Sequence, residues 1–483
     1  MPELKQTKYV YSDRVLASAT QRTPKPALLT IDAGLISKIE YIERGGLSIH
    51  ALGHAEFTDL GDLLVTPAFV NGHTHLAMNA FRGVGLDAMD GNIVEELYYH
   101  LEHSLTRAEV TAFTRMGAYD CLLAGVGLVW DHYYHGQGVA DALAEVGLTG
   151  VVAPTLQDLA GPGVKWLDQQ LEATQLIHQG AHYKNAGVFA ALGPHATDTV
   201  SDTLWQRVGQ LSADYDIPIH AHVAQSKDEF ERCYNRNKVG TLTYLNQLGV
   251  LDSGPGFLMV HGQYIRPAEL TLLDGNRHVL GHCPYSQVQF CFPAPIELWH
   301  NAGVGVLLGT DSSACNDTMN VQQELRLVAE GDSYVVTNQA KLTEATFAQD
   351  DCSAALEALR QQHREARSQI QSTDELLKMA WSNGNCLHPE VQTGILAAGH
   401  LANLAVWDLE HPALWPANDV KRTITFCDTA PALAWMMTNG IWRGERGRYA
   451  ESLLQTEAFQ RAKNEAKLRL KELRDRLGLK GPL

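Results

Sequence analysis

Residues Val65–His75 read VTPAFVNGHTH. The apolar run Ala68-Phe69-Val70 predicts a buried strand, and the two histidines that follow it stand one residue apart at its carboxyl end. Side chains on a strand alternate in direction, so His73 and His75 point to the same side, roughly 7 Å apart along the chain. Two imidazoles converging at the mouth of a buried strand are half of a metal site. An isolated H-x-H pair is as often a pair of core or surface histidines. The reading therefore depends on whether other strands end in ligands of the same kind.

The stretch 67–387 alternates apolar strands with helical runs. Strands are expected at AFVNG (68–72), LVWDHY (128–133), GVVAPTL (150–156), VFAALGPHA (188–196), PIHAHVAQ (218–225), GFLMVHG (256–262), HVLGHCPYS (278–286) and VGVLLGTDS (304–312). Amphipathic runs such as TRAEVTAFTRMGAYDCLLAG lie between them. Eight such units predict an α/β fold, a distorted (β/α)8 barrel of the TIM type. A Rossmann-like open sheet is the competing reading, but no G-x-G-x-x-G follows an early strand.

In such a barrel the functional face lies at the carboxyl ends of the strands. The first strand ends in His73 and His75, the fourth in His195, the sixth in His261, and the eighth in Thr310-Asp311. The fifth carries His220 and His222 on one face, then Gln225, and the seventh carries His282. Six strands of one barrel ending this way are hard to explain as packing. Three histidines and one carboxylate leave a divalent metal with room for a water, whose pKa on Zn²⁺ falls to around 7. Asp311 can both bind the metal and accept the proton of that water. Spacing alone leaves His220 and His222 open as the third ligand; His222 lies nearer the carboxyl end. A second metal would need a bridging group such as a carboxylated lysine on the fourth strand. VFAALGPHA has none, so one metal is expected.

The ends of the chain have a different texture. Residues 1–66 and 388–450 are β-rich, with alternating apolar positions broken by Gly and Asp, and predict a small composite β-sandwich domain built from both ends around the barrel of 67–387. The tail 451–483 carries Ala466, Leu470, Leu473 and Leu477 at helical spacing, which predicts an amphipathic helix packed on its own body. A further helix is expected in TFAQDDCSAALEALRQQHREARSQIQS (346–372) as an insertion.

The 483 residues, 45% hydrophobic, are enough for a large core with a smaller unit beside it. A net charge of −17, from 38 basic and 55 acidic residues, argues against nucleic acid and anionic membranes as partners. The amino terminus shows no apolar secretory core, and no run approaches the ~18 apolar residues of a membrane helix. Eight cysteines without C-x-x-C spacing are expected as reduced thiols in a cytoplasmic protein.

The stretches TPAFVNGHTHLAMNAFRG, ALGPHATD, HAHVAQSKDEF, LMVHG, GHCPYSQ and GTDSSACNDTMNVQQELRL occur in this order over most of the barrel. Together they resemble the amidohydrolase superfamily, in the branch of S-adenosylhomocysteine and methylthioadenosine deaminases and triazine chlorohydrolases. The resemblance implies His73, His75, His222 and Asp311 as ligands of one divalent metal, Zn²⁺ first and Fe²⁺ second. It implies Asp311, His261 and Gln225 as catalytic groups, His195, His261 and Gln225 as substrate contacts, a small heterocyclic substrate, and a homodimer. The other zinc deaminase signature, H-x-E with P-C-x-x-C, has no match.

Two departures stand out. Deaminases of this branch carry Glu three residues after the fifth-strand histidine, where this chain has Gln225. An amide hydrogen-bonds but carries no proton at pH 7. A substitution made at a natural Glu, a leaving group that departs unprotonated such as chloride, or proton transfer by Asp311 and His261 alone would each account for it. A metal-binding pseudoenzyme is the non-enzymatic alternative. The second departure is at the arginine that adenosylhomocysteine-type members place after the third strand. It falls here on Pro154, which weakens the case for a substrate with an amino-acid tail.

Overall fold

The computed structural model describes residues 7–47, 56–84, 93–289, 294–329, 353–354, 357–358, 360–361 and 372–478. The insertion helix expected over 346–372 lies almost wholly outside the described residues.

The chain begins with β1 (Lys8–Val15), β2 (Lys25–Asp32), β3 (Leu35–Tyr41), β4 (Glu56–Asp59) and β5 (Leu64–Pro67). After one residue, Ala68, β6 (Phe69–Thr74) leaves that sheet for another. There follow β7 (Val126–Tyr133), β8 (Thr149–Leu156), the short β9 (Val188–Ala190) and β10 (Gly193–Pro194), β11 (Ile219–Val223), β12 (Phe257–His261), β13 (His278–His282) and β14 (Gly305–Leu308). The chain then returns as β15 (Leu404–Trp407), β16 (Leu433–Thr438) and β17 (Ile441–Arg443).

Both ends meet in one mixed sheet of order β17-β16-β15-β5-β1-β2-β3, with β4 also on β1. Its seam is the antiparallel pairing of β5 with β15, Val65 opposite Val406. The body between them is a TIM-barrel-like α/β unit. Parallel sheets β6-β7-β8-β10 and β11-β12-β13-β14 form it, with β9 paired to β8. Isolated parallel bridges Leu192–Ile219 and Ala196–His222 link the sheets on one side, and Thr74–Asp311 links them on the other. β7 and β8 are buried at every position, as the near-continuous apolar runs of helix-covered parallel strands require. The expected strands are all present; the fourth is broken between Ala190 and Gly193.

Two glycines allow β14 to lie against β6. A Cβ at Gly72 would stand 2.4 Å from Leu307 Cγ, and one at Gly309 2.6 Å from the His73 nitrogen. Asn71 spans the seam, donating to Thr310 Oγ1 at 2.8 Å and accepting from the Thr310 nitrogen at 3.0 Å. The close approach sets Asp311 beside His73, whose carbonyl accepts from the Asp311 nitrogen at 3.0 Å.

The tail helix runs Glu457–Leu477 and is capped by Thr456. Phe459, Ala462, Ala466 and Leu473 form its buried stripe, while Leu470 and Leu477, expected on the same face, are half-buried. It packs on the helix Arg107–Leu123, flanked by the ion pairs Arg115–Glu465 and Arg476–Glu109. No described helix is long and apolar enough to cross a membrane.

Candidate metal centre and active-site cavity

β6 carries His73 near its end and the turn after it carries His75, and Asp131 on β7 secures that turn by accepting from the Leu76 nitrogen at 2.7 Å. One nitrogen each of His73, His75 and His222 lies within 4.8 Å of the others, from strands far apart in sequence. Asp311 Oδ1 stands 3.4 Å from His75 Nε2 and 3.9 Å from His73 Nε2. Its other oxygen accepts from Ser286 Oγ at 2.7 Å.

The outer nitrogens of these rings are engaged. His75 Nδ1 contacts the carbonyl of His132, and His222 Nδ1 lies 2.8 Å from the carbonyl of His195. A carbonyl only accepts, so both rings carry their proton on Nδ1 and leave Nε2 as a lone pair. His73 Nδ1 meets His220 Nε2 at 2.9 Å, while its own Nε2 is buried and without a partner. This geometry separates two residues that spacing could not. His220 stands behind His73, and His222 stands beside it. Burial lowers the pKa of all four rings, so they are neutral near pH 7. Neutral imidazoles around an orphaned nitrogen, with a carboxylate opposite, are a donor set that fits a divalent cation.

Strain collects here. Asp311 (φ +58°), His261 (φ +74°) and Ala224 (φ +52°) all occupy the left-handed region, which costs about 1–3 kcal/mol per residue and persists where the surrounding fold imposes it.

Above the histidines opens a cavity of about 470 Å³ with His195, His261, Gln225 and Asp311 in its wall. His195 Nδ1 bonds Thr199 Oγ1 at 2.9 Å, and burial lowers its pKa to about 3. The His261 ring stacks on His222 at 5.5 Å. The Gln225 nitrogen donates to Glu229 Oε2 at 2.6 Å, and Glu229 also accepts from the Ala224 nitrogen and Thr197 Oγ1. His282, by contrast, packs edge-on against Trp299 at 6.2 Å. Pro154 lies within β8 against Gly136, and Lys227 is the lysine or arginine among the described lining residues, its side chain 69% exposed at the rim.

Three functional positions were not singled out in the sequence. His132 is the last residue but one of β7 and lines the cavity. It meets the same strand-end criterion that picked out the other histidines. Glu229, the carboxylate that holds 224–225, falls within the quoted stretch HAHVAQSKDEF, and Glu102, in the cavity wall, carries no periodic or motif signal.

Glu102 is 5% exposed, and burial pushes its carboxyl up to about 8. Between about pH 4.5 and 8 the folded chain therefore holds a proton that the unfolded chain has lost, so stability falls as pH rises through that window. Glu102→Gln is expected to remove this slope. By denaturant titration it should exceed the parent by up to about 4 kcal/mol at pH 8.5 and match it near pH 4.5.

Three imidazoles and a carboxylate gathered at the strand ends of a TIM-barrel-like α/β body define the class of divalent-metal hydrolases. The chain belongs to the amidohydrolase family, whose model matches residues 64–442. A 5-methylthioadenosine/S-adenosylhomocysteine deaminase from Moorella thermoacetica is 26% identical over 395 residues, covering 80% of this chain and 84% of the relative. In fold the chain is similar to an adenosine deaminase from Xanthomonas campestris with bound zinc, at TM-score 0.75 and 18% identity, covering 98% of each chain. It is likewise similar to a zinc-complexed atrazine chlorohydrolase from Arthrobacter aurescens TC1, at TM-score 0.74 and 19% identity, covering 96% of this chain and 100% of the other.

Proposed function

We propose that the chain catalyses hydrolytic deamination of an aminated nitrogen heterocycle (purine, pyrimidine or s-triazine). The observation that carries this is the convergence of His73, His75 and His222, with Asp311 3.4 Å from His75, at the floor of the cavity. The named activities of the family members above supply the substrate class. His73, His75, His222 and Asp311 would hold one divalent ion, Zn²⁺ first and Fe²⁺ second, which when bound brings the pKa of a coordinated water towards about 7.

Asp311 takes the proton of the attacking water, its carboxylate kept in register by Ser286. His261, stacked beside His222, polarises the substrate or holds the attacking oxygen. Gln225 hydrogen-bonds the ring nitrogen, and neutral His195 contacts the ring from the β10 side. Water adds across the carbon–nitrogen double bond, and the proton taken by Asp311 passes to the substrate's ring nitrogen. The hydroxyl proton leaves with the amine as ammonia, and the cyclic amidine becomes a lactam.

A second reading rests on Gln225 itself. A chlorohydrolase using the same residues needs no proton for its leaving group, so an amide at this position costs it nothing in that step. A pseudoenzyme remains the third. In the same reading 67–387 is a distorted (β/α)8 barrel, 1–66 with 388–450 a composite β-sandwich, and 451–483 a tail helix. Assembly is as a homodimer, and the place is the cytoplasm, in keeping with the six free cysteines among the described residues.

The test is metal analysis of the purified chain followed by ammonia and chloride release from a panel of amino- and chloro-heterocycles. Zinc near one per chain with ammonia release is the expected result. A zinc-loaded chain inert to the whole panel would leave the pseudoenzyme.

A further inference from the structure

Two of the three candidate histidine ligands are fixed by carbonyls; His73 is not. Its Nδ1 faces a nitrogen of His220, and an imidazole nitrogen either donates or accepts. Were His220 to carry its proton on Nε2, His73 would accept on Nδ1, carry its own proton on Nε2, and be unable to ligate. The tautomer of His220 therefore decides whether His73 is a ligand.

His220 is 0% exposed, and its remaining nitrogen, Nδ1, has no partner; nor has Nε2 of the neighbouring His132. The two rings stand 5.3 Å apart at 80°. That is nearly the relation of the hydrogen-bonded His73–His220 pair, 5.1 Å and 82°. The far nitrogen of His132, Nδ1, lies 3.1 Å from Thr155 Oγ1. Two assignments serve the whole row, since the Thr155 hydroxyl either donates or accepts, and one of them leaves His73 able to ligate. With the proton on Nδ1 of all three rings, His73 donates to His220, His220 is directed at His132, and His132 donates to the Thr155 hydroxyl.

We propose that His220 and His132, terminated by Thr155, form a buried tautomer lock that keeps the Nε2 lone pair of His73 turned to the metal position. Both histidines are positioning residues, and the inference rests on reading His73, His75 and His222 as the ligand set. Outer partners of metal-bound imidazoles typically change metal affinity 10- to 100-fold when removed.

The experiment measures Zn²⁺ affinity of the full chain by chelator competition, together with the visible spectrum of the Co²⁺-loaded protein. His132→Phe keeps the volume and removes the acceptor. It is expected to bind zinc 10- to 100-fold more weakly, with a shifted Co²⁺ spectrum. His132→Gln restores an acceptor oxygen and is expected to recover most of the loss. Thr155→Val, the mildest change, is expected to weaken binding a few-fold, and it decides the matter if His132→Phe does not fold. Parental affinity in Thr155→Val or in His132→Phe overturns the lock. A loss that His132→Gln fails to recover also overturns it, because packing would then be the cause. A parent chain that binds no zinc overturns the ligand reading instead, which separates the two failures.

Discussion

Asp311→Asn is expected to lower turnover about a thousandfold or more while leaving the fold intact. Two functions meet on this side chain, ligation beside His75 and acceptance of the water's proton, and an amide performs neither well. Loss of a general base alone typically costs ~100- to 10,000-fold. The fold should survive for a backbone reason: Asp311 sits at φ +58°, and asparagine tolerates the left-handed region at least as well as aspartate. Ser286 can donate to the amide oxygen as it does to the carboxylate. The checks are kcat/KM at saturating zinc and the thermal midpoint, measured together. Full activity in the variant would remove Asp311 from the chemistry.

Gln225→Glu is expected to raise ammonia release by ~100- to 10,000-fold, the range a positioned acid–base group supplies. The backbone is already arranged for it. The 225 nitrogen is held by Glu229, and the preceding Ala224 is in the left-handed region, which turns the side chain at 225 to the cavity. Burial raises the pKa of Glu229, while the hydrogen bonds it accepts from Thr197, Ala224 and Gln225 pull it back down. Chloride release from chloro-heterocycles should not gain, because that leaving group needs no proton. A rise in ammonia release alone supports the deaminase reading; no rise in a variant that still releases chloride favours the chlorohydrolase.

Much of the site was legible because it is built from strand ends. The apolar runs are buried strands, and a histidine or aspartate just beyond each one falls on the same face of the α/β body. That logic found His73, the pair His220 and His222, and His75, His195, His261 and Asp311; of these His75, His195, His222, His261 and Asp311 line one cavity, with His73 buried beneath. It also picked out His282, which packs on Trp299 instead, and it passed over His132 in LVWDHY, although the same criterion applies there. Glu102 and Glu229 were beyond it, since a buried carboxylate on a helix has no period that distinguishes it from a solvated one.

The sequence by itself determined the TIM-barrel-like α/β class, the family resemblance and the residue type at each strand end, because those follow from local pattern and residue chemistry. Only the tertiary structure groups His222, and not His220, with His73 and His75. Period-two alternation sets both on one face, and the difference is depth, which depends on the register of β11 against neighbours remote in the chain. The same holds for the pairing of Val65 with Val406 and for the nitrogen that each histidine presents. Those are set by long-range contacts, and no local stretch of sequence encodes them.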